Sequence, residues 1–221
     1  MEIIHHINIA VHVSAGILAL LSGLAAAILN KQVQQHRMLG KYFMWMMVFV
    51  IITGLAGVFV FKRNTFLLVI TLLSGYNCFS GIRTMRLSGR KPGFIDYLAP
   101  VMVMSAAAYY AYYVYASGLY WAPVIIYATI GSLFVVTIYD LCRGIMPAHT
   151  RKKLMLYEHV YKMLSALSAL ASAFTGTVLP QFKPYSQFLP SMAGLTCIIV
   201  IFIGLGNRPL FFKSTKVLQA D

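Results

Sequence analysis

Residues 8–29 read NIAVHVSAGILALLSGLAAAIL, an apolar stretch without any Asp, Glu, Lys or Arg. As an α-helix this stretch would be about 33 Å long, enough to cross the roughly 30 Å hydrocarbon layer of a membrane. Similar stretches recur along nearly the whole chain, which is 60% hydrophobic and 10% charged. The sequence therefore predicts an all-α fold, a polytopic transmembrane helix bundle that forms one integral membrane domain over residues 1–221.

About seven spans are predicted, and unlike the helices of a soluble core each is apolar almost all round. In chain order they are Asn8–Leu29, Tyr42–Phe61, Thr65–Ile82, Tyr97–Ala116, Tyr120–Tyr139, Tyr157–Leu179 and Phe188–Gly206. No segment between them is long enough to form a soluble domain.

Lys and Arg residues predict the orientation of these spans, because cytoplasmic loops of membrane proteins are enriched in them. Most follow spans one, three, five and seven: Lys31, Arg37, Lys41, Arg83, Arg86, Arg90, Lys91, Arg143, Arg151, Lys152, Lys153, Arg208, Lys213 and Lys216. The other side holds only Lys62, Arg63 and Lys183. We expect an outside N-terminus, a cytoplasmic C-terminus and a multi-pass protein of the cell (inner) membrane.

The net charge of +13 then anchors the protein against anionic lipid. The expected partner is the lipid bilayer, together with a membrane protein complex or a second copy of the chain, and nucleic acid is not expected. Aromatic residues at the outer ends of spans four and five favour an interfacial belt, with a quinone or sterol groove as the alternative. They are Tyr109, Tyr110, Tyr112, Tyr113, Tyr115, Tyr120 and Trp121.

Three acidic residues away from the chain ends fall at the predicted cytoplasmic ends of spans four, five and six. They are Asp96, Asp140 and Glu158, and ionisable groups at the same level are His36, Arg37, Arg83, Arg143, His159 and Lys162. One explanation is charge pairing, of Asp96 with Arg83 or Arg86, of Asp140 with Arg143 and of Glu158 with Lys162. The other is a site for a transition metal, a haem or an acidic head group, with the ligands His36, His159, Asp96, Asp140 and Glu158.

His12 lies just inside the first span, near the outer face. Gly16, Ala19, Gly23 and Ala26 follow it on one helical stripe. Small residues below a histidine can admit a haem, with His12 as a ligand, or they can let a neighbouring helix approach closely. The sixth span has a similar stripe of Ala and Ser residues after His159, so we expect it to be central and to pack against the first span.

The length of the first span decides whether His12 and His159 can bind the same metal ion. From His12 to Asn30 a helix rises roughly 27 Å, so one iron cannot reach both His12 and His159. Asn77 is the main mid-span polar group, and it predicts an interhelical hydrogen bond or a cavity. A proton or ion pathway normally has acidic or basic residues near the bilayer centre. The sequence places none there, so a channel or carrier is the least favoured function.

The motifs His12…Gly16…Gly23, His36-Arg37-x-x-Gly40, Ser74-Gly75-Tyr76…Gly81-Ile82-Arg83…Asp96 and His159-x-x-x-Met163 cover most of the chain. With these motifs the chain resembles a large group of bacterial multi-span membrane proteins known as a domain of unknown function. The resemblance implies an integral bacterial protein, with His12, His36, Arg37 and His159 as the positions to test. Histidines in packed helices are also remotely similar to those of ascorbate-type cytochromes b.

Three functions follow from these features. The first is a redox or haem-handling membrane protein, with haem b or a transition metal bound by His36 and His159 and with His12 as a possible outer ligand. The second is a non-enzymatic accessory or assembly subunit, in which the inner charges form a salt-bridged rim. The third is a zinc-dependent intramembrane hydrolase, which needs three metal ligands and an open position for water.

Overall fold

The computed structural model describes residues 2–61, 66–117 and 123–206. Over these residues the chain forms seven α-helices, one short 3-10 turn at Pro180–Phe182, and no strand. The helices are α1 (Glu2–Ile28), α2 (Val33–Phe59), α3 (Phe66–Leu87), α4 (Phe94–Ser117), α5 (Pro123–Cys142), α6 (Ala148–Val178) and α7 (Tyr185–Gly206). The prediction of an all-α fold is confirmed.

Each predicted span overlaps one of these helices, and α6 differs most because it begins at Ala148, well before Tyr157. Pro147 immediately precedes this helix, as is common for a residue that cannot donate a backbone hydrogen bond. Some predicted features lie outside the described residues: the bounds Thr65 and Tyr120, Trp121, and the charged residues Lys62, Arg63, Arg208, Lys213 and Lys216.

Within the described ranges, four helices are long and apolar enough to cross a membrane: α1, α2, the Phe94–Tyr113 part of α4, and α7. The described apolar part of α5, Ile126–Cys142, is shorter. Helices α3 and α6 carry more polar and charged side chains in their sequences, and together with α5 they supply most of the interior polar groups described below. This composition fits a membrane protein.

Helix α3 lies at the centre of the bundle, in contact with α2, α4, α5 and α6. Helix α6 packs mainly on α3 and α7, and its contact with α1, the neighbour predicted for the sixth span, is smaller. Large apolar side chains cover the outside as well as the core; Leu21, Trp45 and Ile203 are each more than half exposed. In water such a surface would be costly, and it is the surface expected of helices that face lipid.

The small residues of α1 allow its neighbours to approach closely. A Cβ atom added at Gly23 would lie 2.8 Å from Cδ1 of Leu167 on α6 and 2.9 Å from Cδ2 of Phe43 on α2. His12 bonds across the same interface, with its Nδ1 2.8 Å from Oγ1 of Thr53. At Gly23 the stripe is therefore a close contact between helices, whereas a Cβ atom added at Gly16 would meet nothing within 4 Å.

Two connections between helices are held together by Arg151, which is buried near the start of α6. Its Nε donates to the carbonyl oxygen of Gly89, 3.0 Å away in the α3–α4 connection, and its Nη1 donates to the carbonyl oxygen of Met146 in the α5–α6 connection. Gly89 has φ +82°, a left-handed conformation that glycine adopts without steric cost. The ends of α3, α4, α5 and α6 are thereby fixed next to one another.

Candidate functional site

Four buried charged side chains meet between α3, α5 and α6, and we call them the charge cluster: Asp140, Arg143, Glu158 and Lys162. Asp140 lies in the last turn of α5 and Arg143 directly follows that helix, whereas Glu158 and Lys162 stand one turn apart on α6. None is more than 6% exposed, and Lys162 is only 1% exposed. Two acids and two bases leave the cluster without net charge, which lowers the cost of burying it.

A row of hydroxyl groups on α3 faces this cluster. Tyr76, Ser80 and Thr84 are four residues apart and therefore share one face of the helix. The Tyr76 hydroxyl donates to Oδ2 of Asp140 at 2.7 Å, and the Ser80 hydroxyl donates to the same oxygen at 2.5 Å. Nζ of Lys162 donates to Oγ of Ser80 at 2.8 Å. Helix α3 thus supplies neutral hydrogen-bonding groups that bind both signs of charge.

Lys162 lies between the two carboxylates of the cluster. Its Nζ is 2.5 Å from Oδ1 of Asp140 and 3.8 Å from Oε2 of Glu158. The shorter contact makes Asp140 its main partner. The predicted i,i+4 pair of Glu158 with Lys162 is present only as this longer contact.

Glu158 is bound mainly by other groups. Its Oε1 accepts from the hydroxyl of Tyr139 at 2.9 Å, and its Oε2 accepts from Thr84 at 3.2 Å. Nε of Arg143 is 3.2 Å from the same Oε2, close enough for an ion pair although the two atoms are not aligned for a hydrogen bond. The predicted pairing of Asp140 with Arg143 is wrong. Arg143 turns to α6 because Lys162 and α3 already surround the carboxylate of Asp140.

The predicted pairing of Asp96 with Arg83 is confirmed. Nε and Nη2 of Arg83 each donate to one carboxylate oxygen of Asp96 at 2.8 Å, which is a bidentate pair. The backbone N–H of Gly93 also donates to Asp96, at 2.8 Å. This pair joins the end of α3 to the start of α4 and lies nearer the surface than the charge cluster.

A small cavity of about 10 Å³ separates the Arg83–Asp96 pair from the charge cluster. That volume admits about one water molecule. Its lining includes both arginines, Arg83 and Arg143, and both aspartates, Asp96 and Asp140. Nη2 of Arg143 is buried and has no hydrogen-bond partner among the described residues. The cavity is therefore lined by two aspartates and by an arginine with an unpaired donor.

His36 of α2 and His159 of α6 lie side by side, as the sequence predicts. Their rings meet edge to face with centroids 6.3 Å apart. Nδ1 of His36 is 2.9 Å from the carbonyl oxygen of Ala26, and Nδ1 of His159 is 3.0 Å from that of Gly81. A carbonyl can only accept, so each Nδ1 carries a proton, and in the neutral form of each ring the lone pair is on Nε2.

The other predicted site residues lie apart from this histidine pair. His12 lies at the α1–α2 interface near Thr53, more than half the length of α1 away from Ala26 and His36. Arg37 is exposed in the first turn of α2 and pairs with no carboxylate of the described residues. Asn77 is 1% exposed on α3, and its Oδ1 accepts no hydrogen bond from the described part of the chain.

Histidines and carboxylates do not converge on one metal-binding group within the described ranges, where no set of three or more His, Cys, Asp or Glu side chains is arranged to hold an ion. His36 and His159 meet on one side of the α3–α6 contact. Asp140 and Glu158 lie in the charge cluster, and Asp96 faces Asp140 across the cavity. The predicted inner groups thus form a histidine pair and a separate set of ion pairs.

Sequence reasoning missed the hydroxyl row on α3 and the central position of Lys162. A signal for both was present: Tyr76, Ser80 and Thr84 at four-residue spacing, and Glu158 and Lys162 one turn apart on α6. Each pattern places polar groups on one face of an otherwise apolar helix, and such a face has to meet another polar face inside the bundle.

These two groups of residues make the neighbouring ends of α2 to α6 the candidate site. The histidine pair offers two imidazole Nε2 atoms, and the charge cluster offers the ion pair of Asp140 and Lys162 beside the cavity. No protein-family model matches the chain, and neither a curated protein nor a solved structure matches it.

Proposed function

We propose that the chain crosses the cell (inner) membrane seven times, with its N-terminus outside and its C-terminus in the cytoplasm. The seven helices contain 20 to 31 residues, which gives lengths of about 30 to 46 Å. The distribution of Lys and Arg between alternate loops supports the orientation. In this arrangement the histidine pair and the charge cluster belong to the cytoplasmic half of the bundle.

Thiol labelling of single-cysteine variants tests this topology. In right-side-out vesicles, an impermeant reagent should label Gln181→Cys, in the α6–α7 connection, without treatment. It should label Lys91→Cys, in the α3–α4 connection, only after permeabilisation. Both positions are exposed, so access to the reagent reports the side of the membrane. Labelling of both from the same side would contradict the proposal.

Within this bundle we propose that His36 and His159 bind one transition-metal ion with a redox role. The observation that carries the proposal is the pair of Nδ1–H bonds to the carbonyl oxygens of Ala26 and Gly81. Metal-binding histidines almost always donate their second N–H to such an acceptor, which fixes the tautomer and orients the ring. Each Nε2 then remains available as a ligand.

The ring separation agrees with this role. With metal–nitrogen distances of about 2.0–2.1 Å, the centroids of two imidazoles on one ion lie about 5 to 6 Å apart, depending on the angle at the metal. The observed 6.3 Å lies just above that range, so the rings would have to move slightly closer to share an ion. Both rings are half-buried, which leaves water or a small ligand a route to the remaining coordination positions.

Imidazole suits copper, iron, nickel and zinc. A redox metal is favoured over a hydrolytic zinc site because catalytic zinc usually takes three protein ligands, and the pair supplies two. A metal ion is favoured over a haem because side chains of α2 and α6 already occupy the small-residue stripe of α1 at Gly23.

Metal analysis of the detergent-purified chain tests this function. We expect about one copper or iron ion per chain after loading and dialysis, and a paramagnetic signal with nitrogen coupling for Cu²⁺. His36→Ala and His159→Ala should each lose the ion, whereas the control His149→Ala, an exposed histidine of α6, should keep it. A Soret band that depends on His36 and His159 would establish haem instead.

Stoichiometric zinc in the purified protein would favour the hydrolase. Failure of every metal to bind would overturn the metal proposal and leave the accessory or assembly subunit, in which the ion pairs hold the helices together.

A further inference from the structure

We propose that Asp140 and Lys162 form a proton-exchanging pair, which water reaches through the cavity between α3, α4 and α5. When Asp140 takes up a proton, Lys162 moves to Glu158. This inference goes beyond a metal at the histidine pair and does not depend on it, because neither histidine takes part.

The distance between the two charged groups is the first observation. Nζ of Lys162 and Oδ1 of Asp140 are 2.5 Å apart, and both side chains are almost completely buried. Two ions in such surroundings lose most of their hydration, and only their mutual attraction and their hydrogen bonds compensate for that loss. Ionisable groups buried among membrane-spanning helices are rare and commonly belong to proton or ion pathways.

The second observation is the position of Lys162 between two carboxylates. Its second acidic neighbour, Oε2 of Glu158, is 3.8 Å from Nζ, so a movement of about 1 Å brings the ammonium within hydrogen-bond distance. The hydroxyl oxygen of Ser80 also accepts from Nζ. Lys162 therefore has a second partner ready when the charge of Asp140 disappears.

The cavity is the third observation, because it gives water access to Asp140. Its volume of about 10 Å³ suits one water molecule, and it extends from the Arg83–Asp96 pair to Asp140. Arg143 lines the cavity, and its Nη2 lacks a hydrogen-bond partner among the described residues. A buried guanidinium N–H without an acceptor is costly, and a water molecule that accepts from Arg143 would remove this cost.

A hydronium ion that enters the cavity gives its proton to a carboxylate oxygen of Asp140 and leaves as water, so one O–H bond breaks and one forms. Lys162 keeps its three protons, and the charge cluster gains one positive charge. The ammonium of Lys162 then pairs with Glu158, while Arg143 turns its donors toward the cavity water. Release of the proton reverses each change.

Several charged or titratable groups face Asp140 and set the direction of the pH response. From α3 these are Tyr76 and Arg83, from α4 Asp96, from the end of α5 Arg143, and from α6 Glu158 and Lys162. Three of them, Arg83, Arg143 and Lys162, are cations and favour the ionised form of Asp140. Burial and the carboxylates of Asp96 and Glu158 favour the protonated form. We expect Lys162 to be bound to Asp140 at higher pH and to Glu158 at lower pH.

Carboxyl ¹³C NMR of the full-length protein, labelled with ¹³C-aspartate, tests the proposal. The chain has only three aspartates, Asp96, Asp140 and Asp221, so the signals can be assigned with Asp96→Asn and Asp221→Asn without changing the charge cluster. Chelator-treated protein is used, so the result is independent of any metal at the histidines. We expect the Asp140 signal to move reversibly from the ionised to the protonated position as the pH falls.

An Asp140 signal that stays at the ionised position over the whole pH range in which the protein remains folded would overturn the proposal. A signal that changes only together with unfolding would overturn it as well. Circular dichroism on the same samples reports whether the helices persist. The measurement uses unaltered residues in the charge cluster, so a variant that fails to fold cannot obscure the answer.

Discussion

Nζ of Lys162 lies 2.5 Å from Oδ1 of Asp140, and this contact joins the middle of α6 to the last turn of α5. Both side chains are almost completely buried, so each depends on the other for compensation of its charge.

Replacement of Lys162 by Met should destabilise the protein by about 3–5 kcal/mol, because it leaves the carboxylate of Asp140 buried without a cation. The double variant Lys162→Met/Asp140→Asn should recover part of that loss, since no net charge is then left unpaired. Unfolding in a detergent–denaturant series measures both changes. The control Lys153→Met, at an exposed position of the same helix, should change little. Equal stability of the two lysine variants would contradict the prediction.

Gly23→Ala should destabilise the α1–α2–α6 contact by about 1–3 kcal/mol. The new Cβ would lie 2.8 Å from Leu167 and 2.9 Å from the ring of Phe43, and the ring has little freedom to move. At Gly16 on the same helix an added Cβ meets nothing within 4 Å. Gly16→Ala should therefore be neutral or stabilise by up to about 1 kcal/mol through helix propensity. Thermal unfolding of the two variants distinguishes them, and a stabilised Gly23→Ala would disprove the close packing.

Gly89→Ala should weaken the connection between α3 and α4. The backbone there has φ +82°, and an added Cβ would also lie 3.0 Å from Cβ of Lys152. We expect a loss of about 1–2 kcal/mol from strain alone. Gly93→Ala in the same connection keeps the N–H that binds Asp96 and meets only Oδ2 of Asp96, at 3.7 Å, so it should be nearly neutral. Hydrogen exchange of the α3–α4 connection would register the difference.

Arg83→Lys should lower the free energy of unfolding by about 1 kcal/mol, because an ammonium cannot reproduce the two parallel bonds to Asp96. Partial exposure of Arg83 keeps this cost small. Arg86→Lys, at an exposed position one turn closer to the end of α3, is the matched control. The loss at Arg83 should shrink at high salt; a loss that does not depend on salt would indicate packing rather than charge.

The helices and the Arg83–Asp96 pair were predictable from sequence. Arg83 and Asp96 are separated only by the end of α3, a short connection and the first residues of α4, so chain geometry brings them together. The proximity of His36 and His159 was also predictable, since both lie near predicted cytoplasmic helix ends. The haem alternative along the stripe of α1 could not be decided in that way, because small residues serve a cofactor and a neighbouring helix equally well.

The partners of Asp140 depended on tertiary packing. Sequence spacing favoured Arg143, three residues away, yet the packing of α5 against α3 turns the carboxylate toward Tyr76 and Ser80. Lys162 of α6 forms the ion pair with Asp140, and Arg143 pairs with Glu158 instead. The rotation of a helix about its own axis depends on all of its neighbours, and for helices that are apolar almost all round the hydrophobic pattern hardly restricts it.

By itself, the sequence determined that this chain forms long apolar helices and where its charged residues stand along them. Apolar helices of this length satisfy their backbone hydrogen bonds internally, so their formation needs no information from distant residues. Only the tertiary structure decided which charges meet, which histidine nitrogens remain free, and where a water-sized cavity is left. Those features arise where three or four helices touch, and the side chains that meet there come from distant parts of the chain.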